Sequence, residues 1–268
     1  MQTEENVPET ALELAAAEPA NRPEVYRLLL ESNIFVLGSS GQLGEGEGAV
    51  TLAADTKIEI QHWEKPDGST AIPFFTSLQA LQLAIQDDAP YIALPARTFL
   101  EMTRGAQLVL NPASAYGKEF TPQEVEALLA EGVNQLPEQR VVQTATTVQL
   151  GQPADYPHAM VTSLSKLFSA HQNVRAAYPA LMFDATVDEK PHLIVGIEAD
   201  GGYETAVREA GIVAAESSTR GEPIDLIRVR RGEPGIAQYF IEETKPFYER
   251  ASNPPASKLR SLFDFGRK

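Results

Sequence analysis

Residues 58–85 read IEIQHWEKPDGSTAIPFFTSLQALQLAI, and this stretch decides the fold of the chain. Ile58, Ile60 and His62 alternate with other side chains, which is the period of two typical of a half-buried strand. Asp67-Gly68 then predicts a tight turn, because glycine adopts positive φ without a steric cost. A second apolar strand follows over 71–75. The sequence therefore predicts a β-hairpin.

A helix is predicted directly after this hairpin. Ser77 is a typical N-cap residue. The residues after it recur at helical spacing and predict an apolar stripe that consists of Leu78, Leu81, Leu83 and Ile85.

Adjacent aromatic residues in the hairpin predict a sheet that is covered on both faces. Phe74 and Phe75 are neighbours in a strand, so their rings must point to opposite sides. Trp63 is the only tryptophan of the chain and is expected on the side opposite Ile58 and Ile60. Either a helix covers this indole, or it is available to a partner.

Composition bounds the class of protein. The chain has 268 residues, enough for one large domain or two ordinary ones. Asp and Glu outnumber Lys and Arg 37 to 22, giving a net charge of −15, which disfavours nucleic acid and anionic membranes as partners. Without cysteine there are no disulfides or thiolate sites. No signal pattern or membrane span is recognisable, and we expect a cytoplasmic protein.

The pattern of elements predicts two domains. Strands and helices alternate through residues 1–136, residues 136–139 read as a linker, and residues 139–250 have the element order of a smaller α+β unit. We therefore expect an α+β or α/β fold with two mixed-sheet domains, each a sheet packed with helices. In the second domain, 174–186 is predicted as a strand broken by Pro179, and 236–243 fits either a strand or a helix.

The last residues, 251–268, are predicted to be a flexible basic tail. This segment contains four cationic residues and one acidic residue, Asp264. Leu259, Leu262 and Phe263 would share one face of a helix. The segment is either a plain disordered end or a short recognition segment for an acidic partner or a second copy.

Known catalytic motifs are absent from the sequence. The four histidines lack the spacing of a metal pair, and there is no Gly-x-Ser-x-Gly nucleophile motif. The glycine-rich stretch 38–48 matches neither a P-loop nor a dinucleotide fingerprint. We expect no cofactor, no metal and no enzymatic activity.

The best candidate for chemistry is the acidic strand end at 197–201, which contains Glu198 and Asp200. Paired carboxylates can act as acid and base, but such residues also form ordinary turns and helix caps. Glu222 and Asp225, near the last strand, are further candidates for this cluster.

A second candidate is the aromatic and charged run at 246–250, which includes Tyr248 and Arg250. It either seals the second domain or presents an anchor to another protein.

Several short motifs follow one another from the first helix to Arg250. They are Glu18-Pro-Ala-Asn-Arg-Pro23, Leu29-Leu-Glu-Ser32, Gln61-His-Trp-Glu-Lys65, Ile72-Pro-Phe-Phe-Thr-Ser-Leu78, Gly117-Lys-Glu-Phe120, Ile194-Val-Gly-Ile-Glu-Ala-Asp-Gly201, Gly221-Glu-Pro-Ile-Asp225 and Pro246-Phe-Tyr-Glu-Arg250. With these motifs the chain resembles the bacterial enhanced serine sensitivity family, SseB. The resemblance implies a two-domain cytoplasmic protein without an assigned catalytic activity. The family takes its name from a serine-sensitivity phenotype, which suggests a link to amino-acid metabolism. The family provides no known site residues that could be assigned to this chain.

Two functional hypotheses follow. The first is a non-enzymatic adaptor or regulator that binds another protein through aromatic anchors at Trp63, Phe75 and Tyr248. The second is a small-molecule-binding or hydrolytic protein with an acidic cleft near Glu198 and Asp200. The sequence leaves the oligomeric state open.

Overall fold

The computed structural model describes residues 7–40, 58–134, 147–186, 188–217 and 224–251. The glycine-rich stretch from residue 41 onward, the predicted linker 136–139, Glu222 and the tail from residue 252 lie outside these ranges.

Helices and strands alternate along the first half of the described chain. In order they are α1 (Val7–Ala17), a short 3-10 helix (Pro19–Asn21), α2 (Arg22–Glu31), β1 (Asn33–Ser40), β2 (Ile58–Ile60), β3 (Trp63–Glu64), β4 (Thr70–Phe75), α3 (Leu78–Ala84), β5 (Tyr91–Pro95), α4 (Ala96–Met102), β6 (Leu108–Leu110), β7 (Lys118–Phe120) and α5 (Pro122–Glu131).

The second half contains longer strands. Its elements are β8 (Gln149–Gly151), α6 (His158–Ala170), β9 (Val174–Phe183), β10 (His192–Ala199), α7 (Tyr203–Ser217), β11 (Ile224–Arg228), α8 (Ile236–Glu243) and β12 (Tyr248–Glu249).

The described residues form two compact units. The first comprises 7–40, 58–134, 158–167 and 207–217, and the second comprises 147–157, 168–186, 188–206 and 224–251.

The first unit contains a seven-stranded mixed sheet. β1 pairs with β2, β4 and β5, and β4 continues to β6 and β7, while β3 also pairs with β4. Only the β4–β6 pair is parallel among these. β1 is therefore the strand that holds most of the sheet together.

The predicted hairpin is confirmed, with one correction. β3 and β4 are antiparallel with Trp63 opposite Ala71, and Gly68 in the turn has φ 81°. The strand before the turn is not continuous, because it stops at Ile60 and restarts at Trp63. His62 lies in the gap and is exposed, so it does not share the burial of Ile58 and Ile60.

The sheet carries apolar residues on both faces, as the adjacent phenylalanines predict. Phe74 lies in the large core under α1, α2, α4 and α5, and Ile58 and Ile60 pack against the same core. Phe75 and Trp63 lie in a smaller cluster on the other side. The prediction that Trp63 faces away from the two isoleucines is confirmed.

The predicted stripe of α3 is partly wrong. Ser77 caps the helix through the amide of Ala80, at 2.9 Å, as expected. Leu78 and Leu83, however, are 37% and 67% exposed, whereas Ala80 and Leu81 are buried. A helix of seven residues buries only a narrow face, and the small Ala80 occupies part of it.

The second unit contains a five-stranded mixed sheet. The order is β11-β10-β9-β12, and β8 also pairs with β9. β10 and β11 are parallel, which requires a crossover connection such as α7 provides. Residues 236–243, open between strand and helix in the sequence, form α8, which packs Ala237 and Phe240 on this sheet.

Pro179 does not break β9, contrary to the prediction. The carbonyl of Ala177 accepts a hydrogen bond from Phe247 at the β12 edge, so by alternation the backbone of Pro179 faces that edge too. There it lies between the residues that pair with β12 and those that pair with β8. The missing N–H therefore costs no ladder hydrogen bond.

Both sheets are mixed and packed with helices, which confirms the predicted fold class. None of the helices within the described ranges is long and apolar enough to span a bilayer.

Candidate functional site

The acidic strand end is organised around Glu198, whose side chain is buried in the second unit. Arg231 binds it in a bidentate pair: Nε donates to Oε1 at 2.7 Å and Nη2 donates to Oε2 at 3.0 Å. The Glu198 side chain is 6% exposed and that of Arg231 is 63% exposed. The carboxylate is thus inside the fold, while its partner reaches it from the surface.

Two further side chains surround the Glu198 carboxylate. The Tyr178 hydroxyl donates to Oε2 at 3.4 Å, and Arg175 Nη1 lies 4.0 Å from Oε1. Burial, and then the charge of Glu198, raise the pKa of Tyr178. The phenol therefore remains a hydrogen-bond donor at neutral pH.

Asp200 extends this cluster at the surface. Arg250 Nη2 donates to Oδ2 at 2.9 Å, and Arg175 Nε pairs with Oδ1. The hydrogen bond from Arg250 is the main cause that lowers the pKa of the Asp200 carboxyl. Backbone hydrogen bonds fix both partners, since Asp200 N donates to Asn173 O at 2.9 Å and Arg250 N donates to Arg175 O at 2.8 Å.

These contacts join four segments of the second unit: β9, the end of β10, the loop after β11 and the residue after β12. Each carboxylate has two guanidinium partners. At Asp200 the lowered pKa is the opposite of what a general acid needs. The geometry is that of an ion-pair network that fixes loops.

Asp225, a further candidate whose place the sequence leaves open, does not join this cluster. The parallel register places Asp225 beside Ile194, near the start of β10 rather than its end. There Asp225 Oδ2 lies 3.0 Å from His192 Nε2, and Asp188 Oδ2 lies 3.4 Å from His192 Nδ1. His192 is buried. Within the ranges that the structure describes, His, Asp and Glu form no group of three suited to a metal ion.

A second candidate site lies on the first unit. We define the outer face as the residues Phe35, Leu37, Trp63, Ala71, Phe75, Tyr91, Ala93 and Pro95. Strand register places them on one side of the sheet: Leu37 lies opposite Tyr91, Phe35 opposite both Ala93 and Phe75, and Trp63 opposite Ala71.

Helix α3 covers only the middle of the outer face. Ala80 and Leu81 pack on Leu37 and Phe75, while Phe35 and Trp63 are half-buried at the margin of this cluster. On β5, Tyr91 is 46% exposed, and Ala93 and Pro95 are exposed as well. One edge of the outer face is therefore apolar and open.

The three predicted anchors differ in what they can contact. Trp63 is half-buried, with its ring centroid 6.4 Å from that of Phe75. Phe75 has no exposed surface, so it packs against Trp63 but is not itself accessible to a partner. This corrects its assignment as an anchor.

Tyr248, the third predicted anchor, is half-buried and used within its own unit. Its hydroxyl donates to Phe168 O at 2.9 Å, and its ring centroid lies 5.7 Å from that of Phe168. Phe247 stacks on the same ring at 6.3 Å. Of the two readings of this aromatic run, these contacts favour a seal over an anchor.

Sequence reasoning missed Arg175, Arg231 and Tyr178, which are far from Glu198 along the chain. Their only signal is that Arg175 and Tyr178 lie in a predicted strand and Arg231 follows another, and these strands must lie together in one sheet. It also missed Tyr91 and Ala93. Their signal was visible, because Tyr-Ile-Ala-Leu-Pro at 91–95 has apolar residues at both alternating sets of positions.

The fold and these two sites define a class of protein: a two-unit α+β protein with an ion-paired strand end in one unit and a partly covered aromatic sheet face in the other. The family model of the SseB protein N-terminal domain matches residues 9–127, and that of the SseB protein C-terminal domain matches residues 142–250. The chain belongs to the SseB family.

Two relatives agree with this assignment. Protein SseB of Escherichia coli (strain K12) and Protein SseB of Shigella flexneri are each 40% identical to the chain over 250 residues, covering 93% of this chain and 94% of theirs. No solved structure matches the chain.

Proposed function

We propose that the protein is a non-enzymatic cytoplasmic adaptor or regulator that binds another protein through the outer face. The observation that carries the proposal is the exposed apolar edge of Tyr91, Ala93 and Pro95 beside half-buried Phe35. Aromatic residues at the margin of a packed cluster are typical of protein interfaces, because they offer a large contact area at a small entropic cost.

The surroundings of the outer face indicate what kind of partner fits. Asp87 and Asp88 are exposed in the loop before β5, next to Ala89, which packs on the smaller cluster. Glu119 lies on the same side of the sheet, since it pairs with Val109, which pairs with Pro73. An apolar segment flanked by basic residues is complementary to this surface.

The experiment is affinity purification from native extract with three variants beside the wild type. Tyr91→Ser and Ala93→Asp change the open edge. Met102→Ser is the matched control, because Met102 is 49% exposed on α4, which packs on the other face. A protein retained by wild type and Met102→Ser but lost from both edge variants is the expected result. Equal retention by all four would contradict the proposal.

The link to serine sensitivity is a second part of the proposal, and it rests on the family resemblance. Cells that lack the protein should grow poorly in excess serine. Wild type and Met102→Ser should restore growth, while Ala93→Asp should not. Restoration by Ala93→Asp would separate the serine phenotype from the outer face.

The alternative function is small-molecule binding or hydrolysis near Glu198 and Asp200. Its support is the position of the two residues at the carboxyl ends of neighbouring parallel strands, where ligands often bind. Glu198 lies near the end of β10, and Arg231 follows β11. A thermal-shift screen of amino acids tests it, since a ligand at 100 times its Kd adds ~2.7 kcal/mol of stability. A shift that Glu198→Gln abolishes would favour this alternative.

A further inference from the structure

We infer that the outer face of one molecule accepts residues 258–268 of a second copy of the chain. This inference rests on the proposed docking surface and names one occupant for it. The argument combines the composition of those residues with the chemistry of the surface.

The segment 258–268 reads KLRSLFDFGRK. It holds Lys258, Arg260, Arg267 and Lys268 against Asp264, and between them four apolar side chains: Leu259, Leu262, Phe263 and Phe265. It thus has the combination that the outer face requires, namely aromatic and aliphatic groups interspersed with cations.

Charge favours this occupant over other parts of the same protein. Four cations and one acid give the segment a charge of +3. Since the whole chain has a net charge of −15, the remaining 257 residues have a net charge of −18. The segment is therefore attracted to a body of opposite sign, while two copies of that body repel each other. Such attraction is weakened by salt, because mobile ions screen charges that are exposed to solvent.

The acceptor offers acidic groups at both edges of the sheet: Asp87 and Asp88 lie beside the apolar edge on β5, and Glu119 lies on β7 at the opposite edge. Glu119 is 53% exposed and pairs with Lys65 at 2.7 Å, and Asp87 and Asp88 are exposed. Tyr91, Ala93 and Pro95 provide exposed apolar contact area next to Asp87 and Asp88. Reciprocal exchange, in which each copy gives its segment and receives the other, forms a closed two-fold dimer with no free segment.

Sedimentation velocity of the full chain tests this inference. Wild type should show a reversible monomer–dimer equilibrium that weakens as salt is raised. Phe263→Ser in the segment and Ala93→Asp in the face should each raise the dimer dissociation constant by about 30-fold or more, the effect typical of losing a central anchor. Tyr91→Ser serves as a second face variant, and Met102→Ser should behave as wild type.

Mixing two variants distinguishes a segment that binds a second molecule from a segment that binds its own molecule. The Phe263→Ser chain keeps an intact face, and the Ala93→Asp chain keeps an intact segment, so an equimolar mixture should dimerise more tightly than either variant alone. No gain on mixing would overturn exchange between copies. A wild-type chain that stays monomeric at every concentration, or a dimer insensitive to Phe263→Ser, would overturn the inference while leaving partner capture by the outer face untouched.

Discussion

Arg231 donates hydrogen bonds to both carboxylate oxygens of Glu198, at 2.7 and 3.0 Å. Glu198 lies in β10, whereas Arg231 lies in the loop after β11. Only one member of the pair is buried. The two partners are therefore not equivalent, and their removal should have unequal consequences.

Removing the arginine should cost more than neutralising the acid. Arg231→Ala leaves a buried carboxylate without its main partner, and we expect a loss of about 2–3 kcal/mol in unfolding free energy. Glu198→Gln keeps the shape of the side chain and one hydrogen-bond acceptor, while Arg231 returns to solvent. We therefore expect a loss of about 1 kcal/mol in unfolding free energy. Urea denaturation measures both.

Arg230→Ala is the matched control for this comparison. Arg230 is 55% exposed and pairs with Glu233 on the surface at 3.0 Å. Such pairs contribute little, and the change should stay below about 0.5 kcal/mol. A larger loss for Glu198→Gln than for Arg231→Ala would contradict the assigned roles.

Gly196 allows α8 to approach the second sheet. A Cβ at this position would lie 2.8 Å from Phe240 Cδ2 and 2.8 Å from Val229 Cγ2. Gly196→Ala should therefore overpack the core and destabilise the protein by about 1–3 kcal/mol.

Gly151 provides the control for this substitution, because a Cβ there meets nothing within 4 Å. Thermal or urea unfolding of Gly196→Ala and Gly151→Ala should show a clear loss for the first and none for the second. Equal stabilities would mean that the sheet and α8 are not in close contact.

Asp200 should make stability depend on pH in the acid range. Its hydrogen bond from Arg250 lowers the pKa of the folded carboxyl, so its contribution is present above the unfolded pKa and is lost as pH falls through the folded value. The window lies below roughly pH 4. The stability difference between wild type and Asp200→Asn should narrow as pH falls from 6 to about 3.

Urea unfolding at a series of pH values provides this comparison. Arg250→Gln should reduce the pH dependence in the same way, because it removes the main cause of the shift. A difference between wild type and Asp200→Asn that stays constant down to pH 3 would show that the ion pair does not contribute in solution.

Local features of the fold could be read from sequence where a short-range rule decides them. The hairpin turn at Gly68, the N-cap at Ser77 and the opposite orientations of Phe74 and Phe75 each depend on neighbours within a few residues. The capping box at Thr121 is another case, because a Thr followed three residues later by a Glu is its sequence pattern, and Thr121 and Glu124 are bonded reciprocally at 2.8 and 3.2 Å.

Features set by tertiary context could not be read in this way. Pro179 is tolerated only because two partner strands leave a gap beside it. Leu83 is exposed because α3 is short and Ala80 takes the inward position. The pairing of Glu198 with Arg231 depends on the parallel register of β10 and β11, which no local pattern specifies.

The most direct test of a docking function for the outer face is titration calorimetry of a purified partner, obtained by affinity capture, against the full chain. The account predicts that Ala93→Asp raises Kd by about 30-fold or more, because a carboxylate is placed between Tyr91 and Pro95, where the account requires apolar contact. Met102→Ser should leave Kd within about twofold. Equal Kd values for wild type, Ala93→Asp and Met102→Ser would contradict the account.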